Sequence, residues 1–196
     1  MKKIFLLSLI SIGSFACTSN SQDETVSNQE VEEKITVEDV KKSIKVMDDS
    51  LTNHYKDVME NGAKLNRTAL HEAINRHLEL FKRFPEDEGA AASLDKAQQL
   101  YEQLRIDEEA KKWRDTLIIN YTDFDDRSRV IETQISHYDN FEAYEPEMIK
   151  KYTNMLLKDS ANLTAQKVND LKYRLDNIDL SFMELVAKKE AEQKEK

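Results

Sequence analysis

The chain is poor in the residues that shape β-structure and in those that build cross-linked folds. Its 196 residues include three Gly, two Pro and one Cys. A many-stranded sandwich or barrel needs turn-forming residues about every 8–12 positions, and the small number of Gly and Pro therefore excludes such a fold. A single Cys excludes an internal disulfide framework and a cysteine-rich zinc site.

The chain also lacks a positive charge balance. It carries 38 acidic and 29 basic side chains, which gives a formal net charge of −9. Broad nucleic-acid binding requires a cationic face that neutralises phosphates, so the charge argues against that class. What remains is an acidic, helix-rich domain with one hydrophobic core.

The first 16 residues have the pattern of a secretory signal peptide. Lys2 and Lys3 precede an apolar stretch over 4–12, and small residues follow at Gly13, Ser14 and Ala16. The apolar stretch is much shorter than the ~20 residues that a membrane-spanning helix needs. We therefore predict that residues 1–16 are removed on export.

The only cysteine directly follows this segment. Ser14-Phe15-Ala16-Cys17 resembles a bacterial lipobox, although Ser14 stands where leucine is usual. The resemblance implies that Cys17 is acylated and anchors the protein in the outer membrane, since several acyl chains make such an anchor permanent. The alternative is an ordinary secretory signal followed by a chance cysteine.

Residues 17–35 are predicted to form a lipidated, flexible linker. The segment 18–34 contains no aromatic and only two apolar residues, too few to form a core. Within it, Gln22-Asp23-Glu24 resembles the acidic export signal of surface lipoproteins in the Bacteroidetes, with a generic acidic linker as the alternative. We therefore expect the protein at the outer membrane, facing either the periplasm or the cell surface.

From Thr36 onward, apolar residues recur every three or four positions, and no segment alternates with a period of two. This spacing predicts eight helices and an all-α fold. The first helix is expected to begin after an N-cap at Thr36 and to end at Gly62, which can adopt the left-handed conformation. The other seven are expected at about residues 70–83, 89–104, 108–121, 127–139, 145–158, 164–177 and 180–195.

The helices carry a repeat. Ala73 and His77, followed by Pro85, match the second half of the tetratricopeptide pattern A-x3-F…P. A fuller unit contains Leu94, Ala97, Gln98 and Tyr101 and then Ala110 and Arg114, and a third contains Met148, Tyr152 and Ser160. Small residues are needed where paired helices cross, and large residues fill the groove between pairs. We expect the following residues to pack the repeats: Ala73, Pro85, Leu94, Ala97, Tyr101, Ala110, Leu117 and Tyr152.

Over about residues 66–178 the chain resembles tetratricopeptide-repeat lipoproteins of the Bacteroidetes. It is similar to the repeat domains of the Tol–Pal-associated cell-division coordinator and the outer-membrane assembly lipoprotein. The resemblance implies antiparallel helix pairs stacked in a short right-handed solenoid over 36–179, followed by a capping helix and charged tail at 180–196. The chain departs from the pattern at Arg114, where a large apolar residue is usual, and at Gln98, where glycine is usual.

The sequence offers no catalytic or metal-binding constellation. It has no G-x-S-x-G motif, glycine-rich phosphate loop or H-E-x-x-H motif. The four histidines are interpreted as structural, and the acidic clusters at 86–88, 107–109 and 123–126 as carboxylates that favour helix N-termini. We therefore predict no enzymatic activity, no cofactor and no metal.

Three residues are candidates for contacting a partner, because aromatic residues and arginine are enriched at interfaces. They are Trp113, Arg114 and Tyr144, the last in a loop that we expect to be exposed. Asp159-Ser160-Ala161 resembles an O-glycosylation motif of Bacteroidetes envelope proteins, which makes Ser160 a candidate glycosylation site.

The expected function is scaffolding or binding of an envelope protein or peptide at the outer membrane. Two alternatives stay open: a surface-exposed accessory lipoprotein for adhesion or nutrient capture, and a self-assembling structural protein whose repeats stack end to end.

Overall fold

The computed structural model describes residues 35–140, 144–159 and 163–194. Within these ranges every regular element is an α-helix, which confirms the all-α prediction. The predicted signal peptide, Cys17 with the linker up to residue 34, and Ser160 lie outside the described residues. The helices are α1 (Val37–Asn61), α2 (Arg67–Arg83), α3 (Ala90–Gln103), α4 (Asp107–Asn120), α5 (Arg127–Tyr138), α6 (Pro146–Lys158), α7 (Ala165–Asp176) and α8 (Phe182–Lys194).

Both predicted ends of α1 are confirmed. The Thr36 side chain accepts a hydrogen bond from the Asp39 N–H at 3.2 Å, and the Asp39 carboxylate accepts one from the Thr36 N–H at 3.0 Å. This reciprocal pair is a capping box. At the other end Gly62 has φ 68° and its N–H donates to the Val58 carbonyl oxygen at 3.1 Å. Glycine is suited to this position because it has no Cβ to oppose a positive φ.

Polar caps also determine where later helices begin. Asn66 accepts from the Ala69 N–H at 3.1 Å and Thr164 accepts from the Lys167 N–H at 3.2 Å. The last helix begins at Phe182, two residues later than predicted, because the Ser181 N–H donates to the Glu184 carboxylate at 2.8 Å. This bond makes residue 181 the cap instead of an interior position.

Each helix from α1 to α6 packs against the next helix along the chain. Side chains also connect odd-numbered helices that are two apart. Arg129 of α5 pairs with Asp95 of α3 at 2.5 Å, and Lys167 of α7 pairs with Glu132 of α5 at 2.7 Å. The odd-numbered helices from α3 to α7 therefore form one row.

Helices α2, α4 and α6 form a second row. The Phe81 ring of α2 lies edge-on to the Trp113 ring of α4, with centroids 5.9 Å apart. The Tyr152 hydroxyl of α6 donates to the Asp115 carboxylate of α4. Neighbouring pairs are thus joined twice, once in each row.

Most of the residues predicted to pack the repeats are in the core. Six of them are 0% exposed: Ala73, Leu94, Ala97, Ala110, Leu117 and Tyr152. Tyr101 is half-buried, whereas the Pro85 ring is exposed, so Pro85 does not pack the repeats through its side chain. Its contribution comes from its carbonyl oxygen, which accepts a hydrogen bond from the Tyr121 hydroxyl at 2.8 Å.

Candidate functional site

The turn between α2 and α3 lies beside the turn between α4 and α5. The hydrogen bond from the Tyr121 hydroxyl to the Pro85 carbonyl connects the two turns across 36 residues of sequence. The rings of Phe81 and Tyr121 also meet edge-on, with centroids 6.3 Å apart. Because the two turns occupy the same place in successive units, the packing of α2–α3 against α4–α5 places them side by side.

A cleft of about 840 Å³ opens between these turns, and we call it the turn cleft. Its volume is in the range of pockets that hold ligands. The half-buried rings of Phe81, Tyr121 and Phe124 are its aromatic lining. The charged residues that line it are Glu86, Asp87, Glu88, Asp123 and Asp125.

Every charged residue of the turn cleft is therefore acidic. One of them, Asp87, is paired: its carboxylate lies 2.8 Å from Lys41 Nζ and accepts from the Gly89 N–H at 2.8 Å. The hydrogen bond from Lys41 is the main cause of the lowered pKa of Asp87. The other four carboxylates make no hydrogen bond or ion pair with any residue in the described part of the chain.

The position of these acids follows from the helices that they precede. The cluster 86–88 lies just before Ala90, the first residue of α3, and the cluster 123–126 lies just before Arg127, the first residue of α5. Carboxylates are favourable there because of the partial positive charge at a helix N-terminus. Neither N-cap residue makes a side-chain hydrogen bond, and among these acids Asp87 bonds a backbone N–H, that of Gly89 at the start of α3, while Glu86, Glu88, Asp123 and Asp125 can act through their charge.

Trp113 does not line the turn cleft but is separated from it by the ring of Phe81. It is half-buried, it packs against Phe81, and its indole N–H donates to the Glu109 carboxylate at 3.1 Å. The ammonium groups of Lys112 and Lys82 lie 4.8 and 5.7 Å from its ring centroid. The ring is therefore covered by the chain's own side chains, yet it contacts a residue that lines the cleft.

The prediction that Arg114 contacts a partner is corrected by its burial. The side chain is 1% exposed and its guanidinium donates to Gln134 Oε1 at 2.7 Å and to Gln98 Oε1 at 3.2 Å. It also pairs with the Glu102 carboxylate. Because its donors are used inside the helix array, a partner cannot reach it.

Arg114 belongs to a continuous polar network that crosses the core. Beyond Gln134, the network continues to the Asp115 carboxylate at 2.5 Å and from there to the Tyr152 hydroxyl. On the other side Gln98 donates to Asp95 at 3.0 Å. Buried polar groups are costly unless they are hydrogen-bonded, and here side chains of α3, α4, α5 and α6 satisfy one another.

The tyrosines of this region have high pKa values. Burial, followed by the neighbouring Asp115, raises the pKa of Tyr138 to about 12 and raises that of Tyr152 further. The two rings are stacked, with centroids 5.9 Å apart and planes within 7°. These hydroxyls therefore stay neutral at physiological pH and act as hydrogen-bonding groups.

Sequence reasoning missed Asp95 and Gln134 as members of this network. The available signal was the pair of departures from the repeat pattern, Gln98 and Arg114, which put two polar side chains at positions that the repeat normally makes small or apolar. Two such departures in successive helices indicate that each provides the partner of the other, and their bond is 3.2 Å long.

Tyr144 is also corrected, since it is half-buried and its hydroxyl is engaged. The hydroxyl bonds the carbonyl oxygens of Ile178 and Leu180, the latter at 3.0 Å. The Arg174 guanidinium lies 5.8 Å from the Tyr144 ring and makes two 2.9 Å bonds to the Asp139 carboxylate. Tyr144 thus ties the segment before α6 to the connection between α7 and α8.

Two histidines have defined structural contacts. His77 is 4% exposed, with Nδ1 3.2 Å from Ser93 Oγ and Nε2 3.1 Å from Asp48 Oδ1. Burial lowers the pKa of His77, and the bond to Asp48 opposes that shift. His54 Nε2 accepts the Asn66 N–H at 2.8 Å at the start of α2.

Within 35–140, 144–159 and 163–194, no group of three or more His, Cys, Asp or Glu residues is arranged to hold a metal ion. The helices of the same ranges include none that is long and apolar enough to cross a membrane. Comparison of the chain with protein-family models, with curated proteins and with solved structures gives no significant match.

Proposed function

We propose that the protein is a non-enzymatic, lipid-anchored envelope protein whose helical domain binds a segment of another protein in the turn cleft. The observation that carries the proposal is the 840 Å³ cleft itself, with three half-buried aromatic rings and a rim of carboxylates. Aromatic residues in a concave site supply the apolar contact area that anchors a docked segment.

We further propose that the helix pairs form a short right-handed solenoid of the tetratricopeptide type. Two rows of helices, each linked through side chains two helices apart, support this arrangement. So does the burial of Ala97 and Ala110, the small residues of the second unit, which are both 0% exposed. In such an array each unit contacts only its neighbours, and the inter-unit turns align along one edge.

The anchor in this proposal is an acylated Cys17. The linker from Cys17 to residue 35 could span up to ~60 Å when extended, which would let the helical domain reach partners beyond the membrane surface. Protease treatment of intact cells would distinguish the two orientations, because a surface-exposed domain is cleaved and a periplasmic one is protected.

The test is a crosslinked pull-down from cells that express the full chain, with Cys17→Ala to remove the anchor. Ala92 lines the cleft and is exposed, so Ala92→Tyr should fill the cleft without disturbing the core. Ala187→Tyr, at an exposed position on α8, is the matched control. We expect one envelope protein to be recovered with the parent chain and with Ala187→Tyr, and to be lost with Ala92→Tyr.

Two results would contradict the proposal. If no partner is recovered with the anchored chain, the proposed binding function is wrong. Equal recovery with Ala92→Tyr and Ala187→Tyr would place the docking surface outside the turn cleft.

A second candidate function, self-assembly, is favoured by one observation at the end of the array. On α8, Phe182 is 53% exposed and Met183 is 67% exposed. Exposed apolar residues on a terminal helix can stack copies of a repeat protein end to end. Sedimentation of the full chain over a concentration series tests for self-assembly, and a constant monomer mass would exclude it.

A further inference from the structure

The turn cleft concentrates negative charge that the chain itself leaves unpaired. Glu86, Glu88, Asp123 and Asp125 come from two separate turns, and none of them has an ion pair among the described residues. Among the described residues, Lys41 is the cation bound to this group of acids, and its Nζ lies 2.8 Å from the Asp87 carboxylate.

The aromatic lining makes the cleft a suitable surface for a cation as well as for apolar groups. The face of an aromatic ring attracts an ammonium or guanidinium group within about 6 Å. The same chain uses this interaction next to the cleft, where Lys112 lies 4.8 Å from the Trp113 centroid. Lysine and arginine side chains combine an apolar stem with a charged end, so they match a site that has aromatic walls and a carboxylate rim.

The walls and the charges also reinforce each other. Low-dielectric walls focus the field of nearby charges into a cleft. Tyr121 responds to that field: burial raises the pKa of its hydroxyl, and the charge of Glu86 raises it further. The negative charge is therefore effective at the cleft wall as well as at its rim.

We propose that the turn cleft binds a cationic peptide segment, with a lysine or arginine stem on the aromatic rings of Phe81, Tyr121 and Phe124 and its charge against the acidic rim. The cleft volume of about 840 Å³ accommodates several residues of a peptide. This inference rests on the proposed docking function and specifies the chemistry of the partner.

The chain provides its own probe for this binding. Trp113 is the only tryptophan and it packs directly on Phe81, which lines the cleft. The purified full chain would be titrated with a blocked hexapeptide of alternating arginine and leucine, and with its counterpart that has glutamine in place of arginine. Tryptophan emission and titration calorimetry would be recorded in parallel.

We expect a saturable response to the arginine peptide, at least about tenfold weaker affinity for the glutamine peptide, and weaker binding as ionic strength rises. Equal affinity for the two peptides would overturn the inference. So would the absence of both a fluorescence change and binding heat.

Charge-neutralising variants locate the binding. In Glu86→Gln/Asp123→Asn/Asp125→Asn, three exposed carboxylates of the cleft are removed. In Asp176→Asn/Asp179→Asn/Glu190→Gln, the same number of exposed carboxylates is removed away from it. We expect about tenfold weaker peptide binding in the cleft variant and a change below about twofold in the matched control. Equal weakening in both would attribute binding to net charge and overturn the inference.

The pull-down separates failure of this inference from failure of the docking function. A partner that is lost with Ala92→Tyr but retained by the cleft variant would show docking in the cleft without the need for a cationic segment. Binding of the arginine peptide with no partner recovered from cells would support the chemistry of the cleft and contradict the docking function.

Discussion

Carboxylates and aromatic rings occur together in two regions of this protein, the polar network of the core and the turn cleft, with opposite consequences. In the core, Asp95 accepts from Gln98 and Arg129, and Asp115 accepts from Gln134 and the Tyr152 hydroxyl. In the turn cleft, Glu86 and Asp123 have no such partner among the described residues.

The difference follows from solvation. A carboxylate that is removed from water must recover the lost hydrogen bonds from the protein, because an unpaired buried charge is very costly. A carboxylate at the edge of a cleft stays hydrated and needs no internal partner. The core network therefore determines how α3 to α6 fit together, whereas the cleft acids keep their capacity to interact with something else. Four predictions test this contrast.

The largest expected effect is from breaking the core network at its centre. Arg114→Met leaves the acceptors of Gln98, Gln134 and Glu102 without their donor, and removal of one member of a buried charged network costs about 3–5 kcal/mol. The matched control is Arg83→Met, which breaks the exposed ion pair with Glu79 on α2, where the loss should be about 1 kcal/mol or less. Urea unfolding followed by circular dichroism measures both, and similar losses would contradict a special role for the core.

The second effect compares two tyrosine hydroxyls. Tyr152→Phe removes the bond to a carboxylate from a side chain that is 0% exposed, and we expect a loss of about 1.5–3 kcal/mol in the free energy of unfolding. Tyr121→Phe removes the bond to the Pro85 carbonyl beside the turn cleft, with an expected loss of about 0.5–1.5 kcal/mol. A larger loss for Tyr121→Phe would show that the two turns depend on that bond more than the core depends on its network.

The third effect is a pH dependence that comes from His77. Burial lowers its pKa from the ordinary value of 6.5, so below that pH the unfolded chain takes up a proton that the folded chain resists. Stability is fully present above pH 6.5 and falls as the pH drops below it. Urea unfolding across this range should show a shallower fall for His77→Gln, with a remainder from His137, whose pKa burial also lowers. An unchanged slope in the variant would exclude His77 as a source.

The smallest effect on stability should come from the turn cleft itself. Glu86→Gln/Asp123→Asn/Asp125→Asn removes favourable charge near two helix N-termini but also relieves repulsion among the acids, so the net change should be within about 1 kcal/mol. Thermal unfolding of this variant beside Asp176→Asn/Asp179→Asn/Glu190→Gln measures it. A loss as large as that of Arg114→Met would show that the cleft acids stabilise the fold, and it would remove the contrast between the two regions.

The positions of the helices could be predicted because their signals are local. An apolar residue every three or four positions identified eight helices, and Thr36 and Gly62 marked both ends of the first one. The prediction was less accurate at Phe182, because whether Ser181 is a cap or an interior residue depends on a single bond to Glu184. Interior positions of the repeat such as Ala97 and Leu94 were also predictable, because a helix crossing requires a side chain of a certain size and the residue type gives that size.

The sequence predicted separate parts of the candidate site but not that they meet in one cleft. Two of the acidic clusters, 86–88 and 123–126, were identified separately as groups before helix starts. That both line one cleft follows from the packing of one helix pair on the next. The candidate partner residues Arg114 and Tyr144 were chosen for their type, and type does not reveal whether a side chain has acceptors within reach inside the fold.

The sequence by itself determined the helices, both caps of the first one and the small and large residues of the core, because these depend on contacts within a few residues of the chain. The tertiary structure alone decided which polar residues are satisfied internally and which remain available at the surface. Arg114 and Glu86 are both charged residues in a helical repeat. One lies among acceptors from two neighbouring helices, and the other lies across a cleft from residues of its own sign.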